Sequence, residues 1–337
     1  MQTAHSGSAF SHPRINGSGS PHAEFQRLRS YLNERVIGQS TLVDRLLIAL
    51  LADGHLLVEG APGLAKTTAI KVLAEAIEGS NQRIQFTPDL LPADITGTDV
   101  YRPETATFDF MPGPILRNVV LADEINRAPA KVQSALLEAM AERQVTVGCT
   151  THDLPRLFLV MATQNPFEQQ GTYPLPEAQL DRFLMYVRIG YPDVESERKV
   201  LCLVREQAAD RYGEVFEPVA QESVFSARSQ VLDVHMSPAL EEYMLQLVFA
   251  TRSPAKYDPD LEGWVQWGAS PRGVIALDRC SRAMAWLDGR DYVTPEDVVQ
   301  LAADALPHRI ILTYEAEAEG ITAVDVVAAL LSRVPLP

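Results

Sequence analysis

The residues best suited to chemistry lie in one short segment, residues 60–67, which reads GAPGLAKT. Between an apolar strand and a helix, such a glycine-containing loop presents backbone N–H groups and the positive end of the helix dipole to phosphate groups. Lys66 would neutralise charge on the β- and γ-phosphate oxygens, and the hydroxyl of Thr67 would hold Mg²⁺. The general pattern has glycine where Ala65 stands, and alanine is tolerated there provided that its φ angle is negative. The segment therefore predicts a loop that binds a nucleotide.

Polar side chains also follow two apolar segments further along the chain. Asp123 and Glu124 come after the apolar run 118–122, and Asn165 comes after the apolar run 157–162. Open α/β sheets bind ligands at the carboxyl ends of their strands, so these groups should meet the phosphate-binding loop. Asp123 would orient the shell around Mg²⁺, Glu124 would polarise the attacking water, and Asn165 would hydrogen-bond the γ-phosphate or that water. Taken alone, an acidic pair or an Asn-Pro step is also typical of a solvated turn. Because these residues follow the phosphate-binding loop along a chain of alternating strands and helices, the functional interpretation is favoured.

A regular framework has to position these groups, and short apolar strands alternate with helices through the first half of the chain. The predicted strands are 55–59, 83–86, 118–122, 157–162 and 185–189, with a helix at 67–77 after the loop. Alternation of this kind is typical of a parallel sheet that helices cover on both faces. We therefore expect an α/β fold built on a five-stranded parallel sheet.

Two segments interrupt this alternation, and both predict hairpins that project from the sheet. They span residues 98–111 and 144–155. Phe108 and Phe110 lie on the first hairpin, where they either pack within the insert or contact a partner. The sequence leaves these two alternatives open.

Helical periods replace the strands after Pro192. They cover residues 194–209, 239–251, 272–287, 295–306 and 324–331. We place a domain boundary at residues 190–193, which gives an α/β nucleotide-binding domain at 23–192 and a smaller, wholly α-helical domain at 193–337. Residues 1–22 are rich in Ser, Gly, His and Pro and show no apolar period, which favours a disordered tail.

Charge and cysteine content argue against several other kinds of protein. The 337 residues hold 29 Lys and Arg against 44 Asp and Glu, and the resulting net charge of −15 argues against a general nucleic-acid binder. The three cysteines, Cys149, Cys202 and Cys280, are far apart and form no CxxC or Cys/His cluster, so neither a disulfide framework nor a zinc site is predicted. No apolar run is long enough to cross a bilayer, and the chain begins without a signal pattern, so we expect a cytoplasmic protein.

In order and spacing, six segments of the chain resemble the MoxR-type ATPases of the AAA+ superfamily, within the branch that carries a helix-2 insert and a pre-sensor-1 hairpin. The segments are residues 36–39 (VIGQ), 60–67 (GAPGLAKT), 122–128 (ADEINRA), 162–166 (ATQNP), 176–183 (PEAQLDRF) and 268–272 (GASPR). The resemblance covers nearly everything from residue 23 to the end, and alanine at position 65 is what this family shows in place of glycine. It implies a P-loop NTPase core of the AAA+ type, followed by a helical lid domain.

The resemblance also implies roles for individual residues. Asn165 would be sensor 1, and Arg272 would be sensor 2, reaching from the lid to the γ-phosphate. Arg182 matches the arginine finger, which in this superfamily acts on the ATP of the neighbouring subunit. Without the resemblance, both arginines are candidates for surface ion pairs. The residues implied in binding the nucleotide are Val36, Ile37, Gln39, Gly60, Ala61, Pro62, Gly63, Leu64, Ala65, Lys66, Thr67 and Thr68, with Thr67 and Asp123 at the metal and Glu124 at the water.

The function that the resemblance implies is Mg²⁺-dependent hydrolysis of ATP by a homo-oligomeric ring, expected to be a hexamer, that remodels or matures protein partners. Proteins with a von Willebrand factor A domain are a partner class that the family alone implies.

Two alternative functions are a nucleic-acid motor and a switch in which ATP assembles a scaffold and turnover is incidental. A basic stripe on a hairpin would favour the motor, but 98–111 contains only Arg102 and 144–155 contains no Lys or Arg. The complete set of hydrolytic residues favours turnover over the switch.

Overall fold

The structure, a computed structural model, describes residues 19–166, 171–209 and 216–337. The helices of these residues are α1 (Pro21–Arg35), α2 (Ser40–Leu51), α3 (Lys66–Glu75), α4 (Pro92–Thr96), α5 (Ala130–Glu142), α6 (Glu177–Leu180), α7 (Val194–Ala208), α8 (Gln221–Asp233), α9 (Pro238–Arg252), α10 (Pro271–Leu287), α11 (Pro295–Ala305), α12 (Tyr314–Ala318) and α13 (Ala323–Arg333). The strands are β1 (Leu56–Glu59), β2 (Asn81–Gln85), β3 (Gly97–Arg102), β4 (Thr107–Pro112), β5 (Val119–Asp123), β6 (Gln144–Val147), β7 (Thr150–Asp153), β8 (Leu159–Gln164), β9 (Met185–Arg188), β10 (Val265–Trp267) and β11 (Ile311–Leu312). Within these ranges, no helix is both long enough and apolar enough to span a membrane.

A sheet of five parallel strands forms the centre of the fold, as the sequence predicts. Its order is β2-β5-β8-β1-β9, and every adjacent pair is parallel. The middle strands β5 and β8 are buried along almost their whole length because helices cover both faces of the sheet. In this order the carboxyl ends of β5, β8 and β1, from which the polar side chains and the loop emerge, are neighbours at one edge.

The helix α1 begins earlier than its apolar period indicates. Ser20 is its N-cap, and the Ser20 hydroxyl accepts a hydrogen bond from the backbone N–H of Ala23 at 3.2 Å. Pro21 follows at the first helical position, where a missing N–H costs nothing. Pro21 and His22, which the sequence assigned to the tail, therefore belong to the helix. Residues 1–18 of that predicted tail lie outside the described residues.

Both predicted hairpins are present, and they contact each other. β3 pairs with β4 and β6 pairs with β7, each in antiparallel register. The ring of Phe110 stacks on the ring of His152 in the second hairpin, with centroids 3.7 Å apart and an interplanar angle of 11°. Phe108 lies beside Tyr101 instead and is 70% exposed. Phe110 therefore packs within the inserts, while Phe108 is accessible to a partner.

The region after β9 is mainly helical, but two short strands lie within it. β10 and β11 pair antiparallel, which corrects the prediction that strands end at Pro192. Each is only two or three residues long, which is too short to produce an apolar period in the sequence. The prediction also missed α8, whose buried Val224, Ala227 and Val231 recur at helical spacing among polar residues.

The C-terminal helices pack against α1 and α2 around a shared apolar core. Trp286 of α10 is fully buried, and the edge of its ring meets Phe25 of α1 with centroids 5.4 Å apart. Nε of Arg45 in α2 donates to Oδ2 of Asp304 in α11 at 2.6 Å, and the Arg45 side chain is almost completely buried. A buried pair of this kind fixes the two elements relative to each other, because neither charge is tolerated there without its partner.

His55 is a buried histidine that the sheet holds in its neutral form. Its Nδ1 accepts the N–H of Val160 at 3.1 Å, and its Nε2 lies 3.3 Å from the carbonyl oxygen of Met140. This assigns the ring proton to Nε2, because a backbone carbonyl can only accept. Burial, aided by the positive charge of Arg143, lowers the pKa of His55 to about 4.

We expect His55 to make the protein less stable as the pH falls from 7 to 5. The unfolded chain protonates this ring below about pH 6.5, whereas the folded protein does so only below about pH 4, so acid favours the unfolded chain. The stability that depends on the neutral ring is complete above pH 6.5, and about 2 kcal/mol of it is lost by pH 5. Urea midpoints of His55→Gln should therefore change less between pH 7 and pH 5 than those of the parent protein. An equal pH dependence in the two proteins would contradict this assignment.

Candidate functional site

The phosphate-binding loop joins β1 to α3, the context that the sequence predicts. β1 ends at Glu59, and α3 begins at Lys66. Ala65, the last residue of the loop, has φ 60° and ψ 16°, which is the left-handed region. The expectation of a negative φ at Ala65 is therefore wrong, since the chain turns from the loop into the helix through a left-handed residue. Alanine is less stable than glycine in this conformation by about 1–2 kcal/mol.

Lys66 folds back over the loop. Its ammonium group donates hydrogen bonds to the carbonyl oxygens of Ala61, at 3.0 Å, and Gly60. Partial burial lowers the pKa of Lys66, while the carboxylates of Asp123 and Glu124 oppose that shift. The ammonium group therefore lies at the loop with acidic groups nearby, where nucleotide phosphates can replace the two carbonyls as its partners.

The carboxylate of Asp123 is buried at the end of β5 and links three other elements. Its Oδ2 accepts from the hydroxyl of Thr67 at 3.3 Å, and its Oδ1 accepts from the hydroxyl of Thr163 at 2.6 Å. Arg83 of β2 donates to Oδ2 from Nε and Nη2, at 3.1 and 2.7 Å. A hydroxyl and a carboxylate oxygen side by side are the hard donors that Mg²⁺ prefers, and Mg²⁺ usually takes its other ligands from water and phosphate. Thr67 and Asp123 thus fit the predicted metal site.

Glu124 is held in a strained backbone conformation directly after Asp123. Its φ of 57° and ψ of 50° lie in the left-handed region, where non-glycine residues are uncommon and cluster at functional sites. The backbone N–H of Glu124 donates to the hydroxyl of Thr163 at 3.0 Å. Its Oε2 accepts from Gln85 Nε2 at 2.7 Å and from Arg127 Nη1 at 3.0 Å. In this structure the carboxylate therefore has side-chain partners that a water molecule would have to displace or share.

One cavity of about 480 Å³ collects these groups at the carboxyl edge of the sheet. Residues 62–68 of the loop line it, together with Asp123, Glu124 and Asn165. Asn165 is buried directly after β8, at the edge where the sequence predicts it. The apolar side chains of α7 that cover one side of the cavity are Val200, Leu203 and Val204.

The three residues predicted to line an adenine pocket border two neighbouring cavities, and Ile37 borders both of them. Ile37 and Gln39 line a cavity of about 310 Å³ beside residues 62–65 of the loop. The side-chain amide of Gln39 donates to the carbonyl oxygen of Gly190 at 3.0 Å, which fixes its position. Val36 is buried and borders a separate cavity of about 770 Å³ against α7. Ile37 and Gln39 are therefore next to the loop, and Val36 is set back from it.

Arg182 and Arg272 lie together, away from the cavity. Neither is among the described residues that line it. Arg182 donates to the carbonyl oxygen of Leu137 at 2.7 Å, while Nη1 of Arg272 lies 3.6 Å from Oδ2 of Asp181, the residue before Arg182. The prediction that Arg272 reaches from the lid to the γ-phosphate therefore stays a prediction, since Arg272 does not line this cavity in the structure. The start of α10 is held at the α6 segment instead, because Ser270 at its N-cap donates to Asp181 at 2.9 Å.

Sequence reasoning missed three polar residues that hold the acidic pair. Arg83 and Gln85 lie on β2, and their strand was predicted, but nothing in the sequence says that β2 pairs with β5. Thr163 lies within the segment that resembles the family, and its position directly before Gln164 at the end of a strand was the available signal. All three act on Asp123 or Glu124 across the edge of the sheet.

A P-loop nucleotide-binding protein is defined by a glycine-containing loop between a strand and a helix, with a hydroxyl at the start of that helix hydrogen-bonded to a carboxylate at the end of another strand. Residues 55–185 match the family described as "ATPase family associated with various cellular activities (AAA)". Residues 262–330 match the family described as "AAA lid domain".

Similar proteins extend over most of the chain. It is 46% identical over 308 residues to "Chaperone MoxR1" of Mycobacterium tuberculosis, covering 90% of this chain and 79% of that protein. It is 34% identical over 333 residues to "Protein MoxR" of Paracoccus denitrificans, covering 94% and 97% of the two chains. A crystal structure of a candidate ATPase from Cytophaga hutchinsonii, 46% identical, superposes with a TM-score of 0.86 over 94% of this chain and 96% of the other. The chain belongs to the MoxR family of AAA+ ATPases.

The left-handed conformation of Ala65 predicts opposite effects for two substitutions. Ala65→Gly removes the strain, and the protein should be more stable by up to about 1 kcal/mol with the loop intact. Ala65→Val places a β-branched side chain at a positive φ, which should displace the loop and weaken nucleotide binding. Thermal unfolding and calorimetric titration with ATP measure the two effects. A less stable glycine variant together with unimpaired binding by the valine variant would contradict the geometry.

Proposed function

We propose that this protein hydrolyses ATP with Mg²⁺ as a homo-oligomeric ring and uses the cycle to remodel protein partners. The observation that carries the proposal is the division of the site between two faces of one chain. Lys66, Thr67, Asp123 and Glu124 meet in one cavity, whereas the two arginines expected at the γ-phosphate lie together elsewhere. A single chain therefore offers a nucleotide site without its arginines and a pair of arginines without a nucleotide.

The loop and Lys66 bind the phosphates. Backbone N–H groups at the start of α3 and the Lys66 ammonium group neutralise charge on the β- and γ-phosphate oxygens. Thr67 and Asp123 would hold Mg²⁺ through their oxygens, and the ion would supply positive charge against the phosphates. Arg83 stabilises the buried Asp123 carboxylate from the neighbouring strand.

Glu124 activates the attacking water. Its carboxylate accepts a proton as the water oxygen bonds to the γ-phosphorus, and the bond from that phosphorus to the β–γ bridging oxygen breaks. Thr163 fixes the peptide from which the side chain projects, and Asn165 hydrogen-bonds the γ-phosphate or the water. Gln85 and Arg127 restrain the same carboxylate until the water takes their place.

A neighbouring subunit supplies the arginines. An arginine aimed at the γ-phosphate stabilises the charge that develops in the transition state. We assign this role to Arg182 and Arg272 of another copy of the chain, and the support is that both lie beside Asp181 and neither lines the cavity of its own chain. Repetition of such a head-to-tail contact closes a ring, which we propose to be a hexamer.

Protein partners are the proposed clients. The relative of Mycobacterium tuberculosis is named a chaperone, which supports clients that are themselves proteins, and those with a von Willebrand factor A domain are our first candidates. The exposed Phe108 and Tyr101 give the first hairpin an apolar surface for such contacts.

We also propose a cytoplasmic location, where thiols stay reduced. Cys149, Cys202 and Cys280 are all free in the structure, which agrees with such a location.

The alternative of a nucleic-acid motor loses support from the hairpins. Arg102 is the only basic residue in 98–111. Its Nε donates to the carboxylate of Asp109 on the paired strand at 2.5 Å, so its charge is balanced within the hairpin. Phosphate backbones are bound by clusters of unbalanced Lys and Arg, which these hairpins lack.

Two substitutions in the cavity should separate binding from turnover. Lys66→Ala removes the charge that faces the phosphates, so both nucleotide binding and hydrolysis should be lost. Glu124→Gln keeps the shape and removes the base, so ATP should still bind while hydrolysis falls by roughly 10²-fold or more. Calorimetry gives the affinities and phosphate release gives the rates. Parental turnover in Glu124→Gln would assign the base to another residue and would favour the assembly switch.

Mixing two inactive variants tests the division between subunits. Arg182→Ala should keep its nucleotide affinity and lose hydrolysis, and Lys66→Ala is inactive for the reason given above. A mixed ring contains some interfaces at which an intact Lys66 faces an intact Arg182, so activity should partly return. The ATPase rate is measured against mixing ratio at fixed total protein after subunit exchange. No recovery at any ratio, with exchange confirmed independently, would rule out a shared site.

A further inference from the structure

The segment that carries Arg182 is anchored from the C-terminal region. Arg309 lies in the 3₁₀ turn Pro307–Arg309 after α11, and its side chain is only 2% exposed. Its guanidinium donates to the carbonyl oxygen of Phe183 at 2.6 Å and to that of Leu184 at 3.3 Å. These are the two residues directly after Arg182, so one buried side chain fixes the backbone on that side.

The same guanidinium also holds the residue before Arg182. Nε of Arg309 donates to Oδ1 of Asp181 at 3.0 Å. Asp181 accepts from the hydroxyl of Ser270 as well, at 2.9 and 3.1 Å to its two oxygens, and lies 3.6 Å from Nη1 of Arg272. The hydroxyl of Ser270 in turn accepts the backbone N–H of Arg272 at 3.1 Å. Asp181 therefore joins the turn of Arg309, the start of α10 and the Arg182 segment.

This arrangement suits arginine in particular. The planar guanidinium has five N–H donors in fixed directions, and here they reach a carboxylate and the carbonyls of Phe183, Leu184 and Ala305 together. Burial lowers the pKa of Arg309 to about 10, and the negative charge of Asp181 opposes that shift. A lysine would bring the same charge but could not satisfy acceptors on both sides of Arg182 at once.

We propose that Arg309 is a positioning residue for the arginine face, which we define as Arg182 and Arg272. It acts through Asp181 and the two carbonyls after Arg182, and it touches neither the cavity nor the nucleotide of its own chain. The inference rests on the proposed function, in which the arginine face serves a neighbouring subunit. One consequence is that the C-terminal helices and the Arg182 segment move as a unit. A rotation of these helices therefore changes the position of Arg182 and Arg272 relative to the next subunit.

Two variants test the positioning role. Arg309→Lys keeps the positive charge but removes the planar guanidinium and its fixed N–H donors. Asp181→Asn keeps the shape of the side chain and removes the negative charge that orients Arg309 and Arg272. Both should bind ATP with the affinity of the parent protein, while kcat falls by about tenfold or more, because a displacement near 1 Å can cost up to about 10²-fold. KM should change little, since the cavity of each chain is unaltered. Asp181→Asn keeps the test decisive if Arg309→Lys fails to fold.

Complementation distinguishes a displaced arginine face from general damage. Mixed with Lys66→Ala, which carries an intact arginine face, each variant should regain ATPase activity. Mixed with Arg182→Ala, which has the same face impaired, neither should regain any. Recovery with Arg182→Ala, or no recovery with Lys66→Ala while the Arg182→Ala and Lys66→Ala mixture is active, would overturn the role of Arg309. If that reference mixture is itself inactive, the shared site fails, and the inference about Arg309 fails with it.

A matched control is available in another interface of α11. Arg45 and Asp304 form another buried ion pair between α2 and α11, at 2.6 Å, without contact to the Arg182 segment. Arg45→Lys and Asp304→Asn should lower the unfolding temperature and leave kcat per folded protein at the parental value. If these variants lose turnover to the same extent as Arg309→Lys and Asp181→Asn, the effect is one of general destabilisation and the proposal is wrong.

Discussion

The carboxylate of Asp123 is the group on which the nucleotide site depends. A buried carboxylate is costly unless it is well paired and hydrogen-bonded, and this one is bonded by Thr67, Thr163 and Arg83. These partners come from α3, β8 and β2, so a single charge joins the helix after the loop to three strands of the sheet. The same carboxylate also helps to position the backbone of Glu124. The hydroxyl of Thr163 donates to Asp123 and accepts the backbone N–H of Glu124. The loop, the predicted metal ligands and Glu124 therefore have their relative positions set by the hydrogen bonds of one carboxylate.

A second set of hydrogen bonds holds the two arginines that we propose to complete the site of a neighbouring subunit. Asp181 organises the arginine face much as Asp123 organises the cavity, with Arg309 and Ser270 as its partners. The two sets lie in different parts of the same chain and share no residue. In the proposed function a monomer lacks the arginines at its nucleotide, so contact between copies of the chain is required for hydrolysis. We regard this as the physical reason for proposing a ring.

Much of this organisation follows from the sequence, because parallel strands bring their carboxyl ends to one edge. The loop, the acidic pair and Asn165 were predicted there from the apolar runs that precede them, and the structure brings them into one cavity. Strand boundaries differ from the prediction by one or two residues. The order of the strands was not available from any local pattern, and for that reason Gln85 and Arg83 could not be assigned to the acidic pair.

Other features depend on long-range packing or on backbone angles that a residue name does not reveal. The left-handed φ of Ala65 is set by the turn into α3, although alanine does not favour it. The position of Arg272 depends on how the C-terminal helices pack against α1, α2 and the α6 segment. No periodicity in 268–272 carries that information. The two strands β10 and β11 are held by each other across 43 or more residues of chain and leave no local signal.

A structure of the Glu124→Gln variant assembled with ATP and Mg²⁺ tests the central claim most directly. The account predicts that Lys66 and Thr67 of one subunit hold the phosphates while the guanidinium of Arg182 from a second subunit lies within hydrogen-bond distance of the γ-phosphate. Arg182 would then have exchanged the carbonyl of Leu137 for that phosphate. A nucleotide bound in the cavity with no arginine from another subunit nearby, or with Arg272 of the same chain at the γ-phosphate, would contradict it.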